Sequence, residues 1–139
     1  GLKRSVNWDW NSDPDTIAHF RRMARVHQAL VPTFHELVAE AARSSLPPLR
    51  HLVLVFPDDP DVVSIDDEFM VGDELLVAPV VVEGATSREV YLPAGTWYHA
   101  FTGESFAGGG IVTVAAPVGT PPAFFRDAPN TVLMQAIAD

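Results

Sequence analysis

The sequence predicts an α+β protein in which an N-terminal helical segment is followed by an antiparallel β-sandwich. Three observations support this prediction. Before Ser44, apolar residues recur at steps of three and four, as they do on one face of a helix. After Pro48, the apolar runs are short and separated by turn residues at intervals of about eight to twelve. The composition changes near Pro47, so we expect a helical part over residues 1–47 and a sandwich over residues 48–139.

The helical segment is predicted to begin at Asp13-Pro14, where a carboxylate or Ser12 can cap the helix and proline fits the first turn. Pro32 interrupts the apolar stripe, and either kinks the helix or opens a second one. The two halves of the stripe run through Ile17, Phe20, Met23, Ala24, His27, Leu30 and Val31, and then through Phe34, Leu37, Val38, Ala41 and Ala42. A segment this short must dock its stripe on the β part or on a body outside the chain.

Seven strands are predicted after the prolines, over residues 49–56, 75–82, 88–92, 96–101, 111–116, 123–126 and 131–137. Pro79 lies inside the second run, so that strand is expected at an edge or with a bulge. Strand alternation places Trp97, His99 and Phe101 on one face of the fourth strand and Tyr98 on the other.

Charge and composition exclude several classes of function. Nine basic and eighteen acidic side chains give a formal net charge of −9, which argues against nucleic acid and anionic membranes as partners. The absence of cysteine excludes disulfides and thiolate chemistry. No apolar run is long enough to span a membrane. The first five residues lack both an initiating Met and a signal core, so we expect a chain cut from a longer one. The compartment stays open, with the bacterial cytoplasm as the expectation.

Pattern analysis finds no complete catalytic constellation. Two acidic clusters, Asp58-Asp59-Asp61 and Asp66-Asp67-Glu68, could supply glycosidase acids or hard-metal ligands, but they lack calcium-loop spacing, and turn formation explains them better. Ser105 lacks the glycines of a nucleophile elbow, and Gly108-Gly109-Gly110 lacks the lysine of a phosphate loop. Three helical histidines stand eight residues apart rather than the four that suit a metal pair: His19, His27 and His35. His51 and His99 complete the set. No catalytic residue, cofactor or metal is therefore predicted.

Aromatic side chains are the remaining candidates. Trp97 and Tyr98 could stack on a sugar, although core packing is the alternative. Trp8 and Trp10 lie in an irregular segment and are further candidates for sugar contact.

Several rarer motifs occur in a single order. Leu46–Leu52 reads Leu-Pro-Pro-Leu-Arg-His-Leu and is followed by Phe56–Asp59; Asp67–Val80 contains Gly-Asp-Glu-Leu-Leu-Val-Ala-Pro-Val, and Val90–Tyr98 contains Leu-Pro-Ala-Gly-Thr-Trp-Tyr. With Pro121–Arg126, this series resembles glycoside hydrolase family 31 where its catalytic barrel passes into its proximal C-terminal β-sandwich. The resemblance extends from about Trp8 to Arg126, and Arg25–Phe34 is similar to the last barrel helix.

This resemblance implies that the helical segment is the end of a β/α barrel and that the parent enzyme is a retaining α-glycosidase, such as an α-glucosidase or α-xylosidase. Such enzymes use two carboxylates, one as nucleophile and one as acid and base. The family's nucleophile motif is absent, so no catalytic residue is carried over. His51 stands where the family has proline, and Asp127-Ala128 stands where it has two glycines, which leaves the substrate open.

Three hypotheses follow. The first is a C-terminal fragment of a family 31 glycosidase, inactive alone, whose partner is the rest of the parent barrel and whose exposed helix surface can drive self-association; carbohydrate would bind only to the whole enzyme. The second is a stand-alone carbohydrate-binding sandwich. The third is a small enzyme that uses the two acidic clusters.

Overall fold

The computed structural model of the protein describes residues 13–138. These residues form two α-helices, α1 (Pro14–Ser44) and α2 (Thr131–Ala138), and eight strands. The strands are β1 (Leu49–Arg50), β2 (Phe69–Val71), β3 (Leu75–Val77), β4 (Ser87–Leu92), β5 (Thr96–His99), β6 (Ser105–Ala107), β7 (Gly110–Ala115) and β8 (Ala123–Arg126). A helix followed by antiparallel strands confirms the predicted α+β class.

Helix α1 begins where its sequence predicts. The Asp13 side chain accepts a hydrogen bond from the Asp15 N–H at 3.1 Å, and Pro14 occupies the first turn. The helix ends at Ser44, where Ser45 adopts a left-handed conformation (φ 63°) and donates its N–H to the Ala41 carbonyl. One helix runs through Pro32, so the expectation of a second helix starting there is wrong. Because Pro32 is exposed, water can take the place of its missing N–H donor.

The strands form two antiparallel sheets. Sheet A has six strands in the order β1-β2-β3-β8-β5-β6, and sheet B has two, β4 and β7. Side chains of sheet B pack with one face of sheet A around Trp97 and Phe124, and α1 and α2 pack on the opposite face around Leu75 and Phe125. The result is three layers, with sheet A in the middle and one apolar core on each side of it.

Three predicted strands are shorter than their apolar runs, and the run over residues 96–101 is a strand only over Thr96–His99. Only Leu49–Arg50 of the first run is a strand, because the chain turns into a short 3-10 helix over Leu52–Leu54. Strand β3 ends at Val77, before Pro79, and lies between β2 and β8. The expectation of an edge position or a bulge for that strand is therefore wrong. The proline ends the strand instead of distorting it.

The run over residues 131–137 is helix α2 and not a strand. Asn130 caps it, since its side-chain oxygen accepts the Leu133 N–H at 3.0 Å. Leu133 and Ile137, four residues apart, are both buried against sheet A. Neither described helix combines the length and the apolar character that a membrane span needs.

Candidate functional site

Four of the six acidic residues singled out from the sequence line a surface cleft of about 650 Å³ between sheet B and the segment before β2: Asp61, Asp66, Asp67 and Glu68. A 3-10 helix over Pro60–Ser64 forms one wall, and its cap is Asp59, which accepts the Asp61 N–H at 3.1 Å. The Asp59 carboxylate also accepts the Tyr91 hydroxyl at 2.8 Å. The pKa of Tyr91 is raised to about 12, mainly by burial and next by the hydrogen bond to the Asp59 carboxylate. Asp59 therefore serves as a helix cap and as an anchor for β4.

Glu68 is the buried carboxylate of the cleft. Its Oε1 accepts the Tyr91 N–H at 2.8 Å and lies 3.6 Å from Arg88 Nη2. Its Oε2 has no hydrogen-bond partner among the described residues. Burial raises the pKa of Glu68 to about 7, against the lowering effects of the Tyr91 N–H and Arg88. Only 3% of the Glu68 side chain is exposed, so it contributes little surface to the cleft that it lines.

Arg88 is held by backbone and side-chain acceptors together. It donates to Asp67 Oδ2 at 2.9 Å, to the Asp67 carbonyl at 3.3 Å, to the Pro79 carbonyl and to the Glu89 carbonyl. A guanidinium bound in this way fixes loops to a strand. The cleft is built as a structural network, and the described residues contain no group of three or more histidines or carboxylates arranged to hold a metal.

The aromatic candidates for sugar contact differ in how far they are buried. Trp97 is fully buried, its indole N–H donates to the Pro93 carbonyl at 2.7 Å, and its ring lies against Phe56. A ring with no exposed face cannot stack on a sugar, so the candidate role of Trp97 in sugar contact is wrong. Tyr98 is half-buried, and its role in sugar contact stays a prediction. Trp8 and Trp10 lie outside the described residues, and their predicted role also remains untested.

The histidines lie apart from one another. His99 is buried edge-on to Phe124, and its Nδ1 accepts the Phe101 N–H at 3.2 Å. Burial lowers its pKa. His51 caps the 3-10 helix at Leu52–Leu54 by accepting the Val53 N–H at 3.1 Å. The other three lie on the exposed part of α1: His19, His27 and His35.

Sequence reasoning missed the importance of Arg50, which is 1% exposed. Its Nε donates to the Pro47 carbonyl at 2.8 Å, its Nη2 pairs with Glu40 of α1 at 2.6 Å, and its Nη1 pairs with Asp73 in the β2–β3 turn. Burial disfavours the charge, but the hydrogen bonds to Glu40 and Asp73 outweigh it and raise the pKa of Arg50. The signal that could have identified it is a lone arginine inside an apolar run.

The chain is similar to a known protein family and to several of its members. The family model described as "Glycosyl hydrolase family 31 C-terminal domain" matches residues 45–128. A sulfoquinovosidase of Escherichia coli is 46% identical over 126 residues, which are 91% of this chain and 18% of that protein. A sulfoquinovosidase of Agrobacterium fabrum is 40% identical over 127 residues, 91% of this chain and 19% of that protein.

Among solved structures, a family 31 sulfoquinovosidase from E. rectale, in complex with an aza-sugar inhibitor, superposes with a TM-score of 0.86 at 31% identity, covering 99% of this chain and 21% of that one. A family 31 α-xylosidase from a soil metagenome, in complex with xylose, gives a TM-score of 0.84 at 30% identity, covering 96% of this chain and 20% of that one. This chain thus spans about a fifth of the length of these relatives. From its matched motifs and its fold, the chain belongs to glycosyl hydrolase family 31, and its sandwich is the C-terminal domain of that family.

Proposed function

We propose that this chain is the C-terminal structural part of a retaining α-glycosidase. Helix α1 would be the last helix of the catalytic barrel, and the sandwich would hold that helix in place. The domain boundary would lie at the prolines that separate residues 1–47 from residues 48–139. The nucleophile and the acid/base would be supplied by the rest of the parent enzyme, so the chain alone would not hydrolyse glycosides.

The observation that carries this proposal is a second apolar stripe on α1. Val26, Leu30 and Leu37 pack toward sheet A. Phe20, Val31 and Val38 are 61%, 38% and 60% exposed and define what we call the outer stripe. Residues seven or eleven apart fall within about 20° of one another round a helix, so these three form one line about a quarter-turn from the core-facing residues.

An apolar line of this kind is what a helix shows when it packs between two bodies. The helix of 31 residues has no fully buried side chain among the described residues, although Val26, Leu30 and Leu37 pack toward sheet A. A missing barrel neighbour would cover the outer stripe and complete the burial of α1. The exposure of the outer stripe therefore supports the proposal that the rest of the same enzyme packs on it.

The substrate class of that enzyme is part of the proposal. The relatives with 46% and 40% identity are sulfoquinovosidases, whereas an α-glucosidase of Bacillus thermoamyloliquefaciens is 31% identical. These similarities favour sulfoquinovosides over simple α-glucosides as substrates of the parent enzyme. The test is to compare kcat/KM of the full-length parent on p-nitrophenyl sulfoquinovoside and on p-nitrophenyl α-glucoside. A preference for the glucoside would reject the substrate proposal and leave the structural role standing.

The structural role is tested by reconstitution. The E. coli sulfoquinovosidase, truncated before the region that this chain matches, would be mixed with the isolated chain and assayed. Neither part alone should hydrolyse the substrate, and the mixture should regain activity. Hydrolysis by the isolated chain would overturn the proposal.

Two matched lysine variants test whether the outer stripe is the surface that contacts the rest of the enzyme. Val38→Lys places a charge on the outer stripe and should lower the recovered activity at least tenfold. Ala39→Lys adds the same charge at the neighbouring exposed position, about 100° round the helix, and should leave recovery unchanged. Equal effects of the two variants would show that the outer stripe is not the docking surface.

A further inference from the structure

An apolar groove of about 480 Å³ lies where helix α1 meets two loops of the sandwich. One loop, residues 78–86, joins β3 to β4, and the other, residues 116–122, joins β7 to β8. Val80, Val82 and Val118 line the groove from the loops, and Met23 lines it from α1. We call these four residues the valine surface.

The three valines of this surface are exposed to solvent. Val80, Val82 and Val118 are 37%, 66% and 102% exposed. Single exposed apolar side chains are ordinary on a protein surface, whereas several around one groove indicate a contact surface. Among the described residues, no Asp, Glu, Lys or Arg lines this groove.

Charged side chains lie on the other side of the 78–86 loop. Asp67, Arg88 and Glu89 border the loop in a separate cleft, and Glu83 is the one charged residue within the two loops. The uncharged side of the loop is therefore the side that faces α1.

The two loops are fixed to one another and to the helix. The Ala78 N–H donates to the Pro122 carbonyl at 3.0 Å, and Arg22 of α1 donates from Nη1 to the Gly119 carbonyl at 3.4 Å. Four prolines further restrict the backbone of the loops: Pro79, Pro117, Pro121 and Pro122. The valines are therefore held at the surface by loops that are anchored on both sides of the groove.

The groove lies on the same flank of α1 as the outer stripe. Met23 stands between the core-facing Val26 and Phe20 of the outer stripe, about 60° round the helix from each. A body that packs on the outer stripe thus comes next to the valine surface. Because this chain spans about a fifth of the length of its relatives, the proposed parent enzyme contains a large further body that can cover both.

We propose that the valine surface is a second contact with the catalytic barrel of the parent enzyme, made by the sandwich itself. This inference rests on the proposed function and adds that the barrel binds the loops of the sandwich as well as α1. Val82 and Val118 pack against apolar side chains of the barrel, and Met23 joins this contact to the outer stripe. The barrel then fixes the helix and the sandwich relative to one another.

Amide hydrogen exchange, measured by mass spectrometry, compares the isolated chain with the full-length parent. The N–H groups of Val81, Val82 and Val118 have no hydrogen-bond acceptor among the described residues, so they should exchange fast in the isolated chain. In the parent, peptides that contain Val82 or Val118 should exchange at least about tenfold more slowly, because the barrel covers them.

Two valines of equal exposure give matched variants. Val82→Lys places a charge in the valine surface, and should return the exchange of these peptides in the parent towards the rate of the isolated chain. Val63 is also 66% exposed but lies on the 3-10 helix beside the acidic cleft, so Val63→Lys should leave the protection unchanged. As isolated chains, both variants should unfold like the wild type, which excludes misfolding as the cause.

Three results would overturn this inference. The first is equal exchange of these peptides in the parent and in the isolated chain. The second is loss of protection in Val63→Lys as complete as in Val82→Lys. The third is protection that appears in the isolated chain as its concentration is raised, which would assign the surface to a second copy. Glycoside hydrolysis by the isolated chain would reject the proposed function by a separate assay, so the two failures are distinguishable.

Discussion

Replacing Arg50 tests how the helix is joined to the sandwich. Its guanidinium reaches three elements at once: Glu40 on α1, the Pro47 carbonyl in the linker, and Asp73 in the β2–β3 turn. Arg50→Met keeps a long apolar stem and removes all three interactions. It should therefore loosen the C-terminal end of α1 from sheet A.

The expected loss follows from the exposure of each partner. Glu40 and Asp73 have 35% and 61% of their side chains exposed, so both can return to water when the arginine is gone. The loss is then smaller than the value of about 3–5 kcal/mol for breaking a fully buried pair. Three hydrogen bonds at about 1 kcal/mol each give a decrease of about 3 kcal/mol in the free energy of unfolding. For a chain of this size the midpoint should fall by about 10 °C.

Urea unfolding followed by circular dichroism measures this change. Arg43→Met on the exposed surface of the same helix is the matched control, and should change stability by less than about 0.5 kcal/mol. Arg50→Lys should fall between the two, because an ammonium cannot make the same forked contacts. Native-state amide exchange should show faster opening near Glu40 and unchanged protection in β8. A loss below about 0.5 kcal/mol in Arg50→Met would refute the reasoning.

Three further predictions concern single groups. Because burial raises the pKa of Glu68 to about 7, the folded state binds its proton more tightly than the unfolded state, and this stabilisation is lost as the pH rises from 4.5 to 7. Glu68→Gln should match the wild type at pH 4.5 and exceed it by up to about 3 kcal/mol above pH 7 in urea titrations. Gly108→Ala should cost more than about 3 kcal/mol, because a Cβ there would lie 2.0 Å from the Pro93 carbonyl oxygen, whereas the same change at Gly110 meets nothing and should cost about 1 kcal/mol or less. Asp127 has a φ of 63°, so Asp127→Gly should raise the unfolding midpoint, with a gain of about 0.5–1 kcal/mol.

Each of these predictions has a contradicting result. Parallel stability curves for wild type and Glu68→Gln across the pH range would show that the carboxyl titrates normally in the fold. Equal losses for the two glycine variants would remove the close approach at Gly108 as the cause. A lower midpoint for Asp127→Gly would mean that the ion pair of Asp127 with Arg126, at 3.5 Å, outweighs the conformational strain.

The sequence predicted local features well where a single residue type decides the outcome. Asp13 and Pro14 start α1, and the chain leaves the helix at Ser44, because capping and proline effects act within a few residues. Strand β8 has the predicted bounds, Ala123–Arg126. Asp127 stands at a left-handed position where relatives were expected to have glycine. The family itself also followed from ordered local motifs.

The run from Thr131 to Ile137 shows where local pattern fails. Its β-branched and apolar residues suit a strand or a helix, and the choice depends on the Asn130 cap and on the burial of Leu133 and Ile137 against sheet A. Similarly, whether Trp97 faces a sugar or the core depends on what covers β5, which is sheet B together with Phe56. Periodicity reports that one face is apolar, but it does not report which body covers that face.

The sequence by itself determined the α+β class, the ends of the long helix, the family and the absence of cysteine chemistry, because these depend on composition or on neighbours a few residues apart. Only the tertiary structure decided that Arg50 joins α1 to the sandwich, that Asp67 and Glu68 hold Arg88 and Tyr91 of β4, and that the outer stripe is exposed. Each of these depends on groups brought together from distant positions along the chain, where the surrounding packing controls burial and charge pairing.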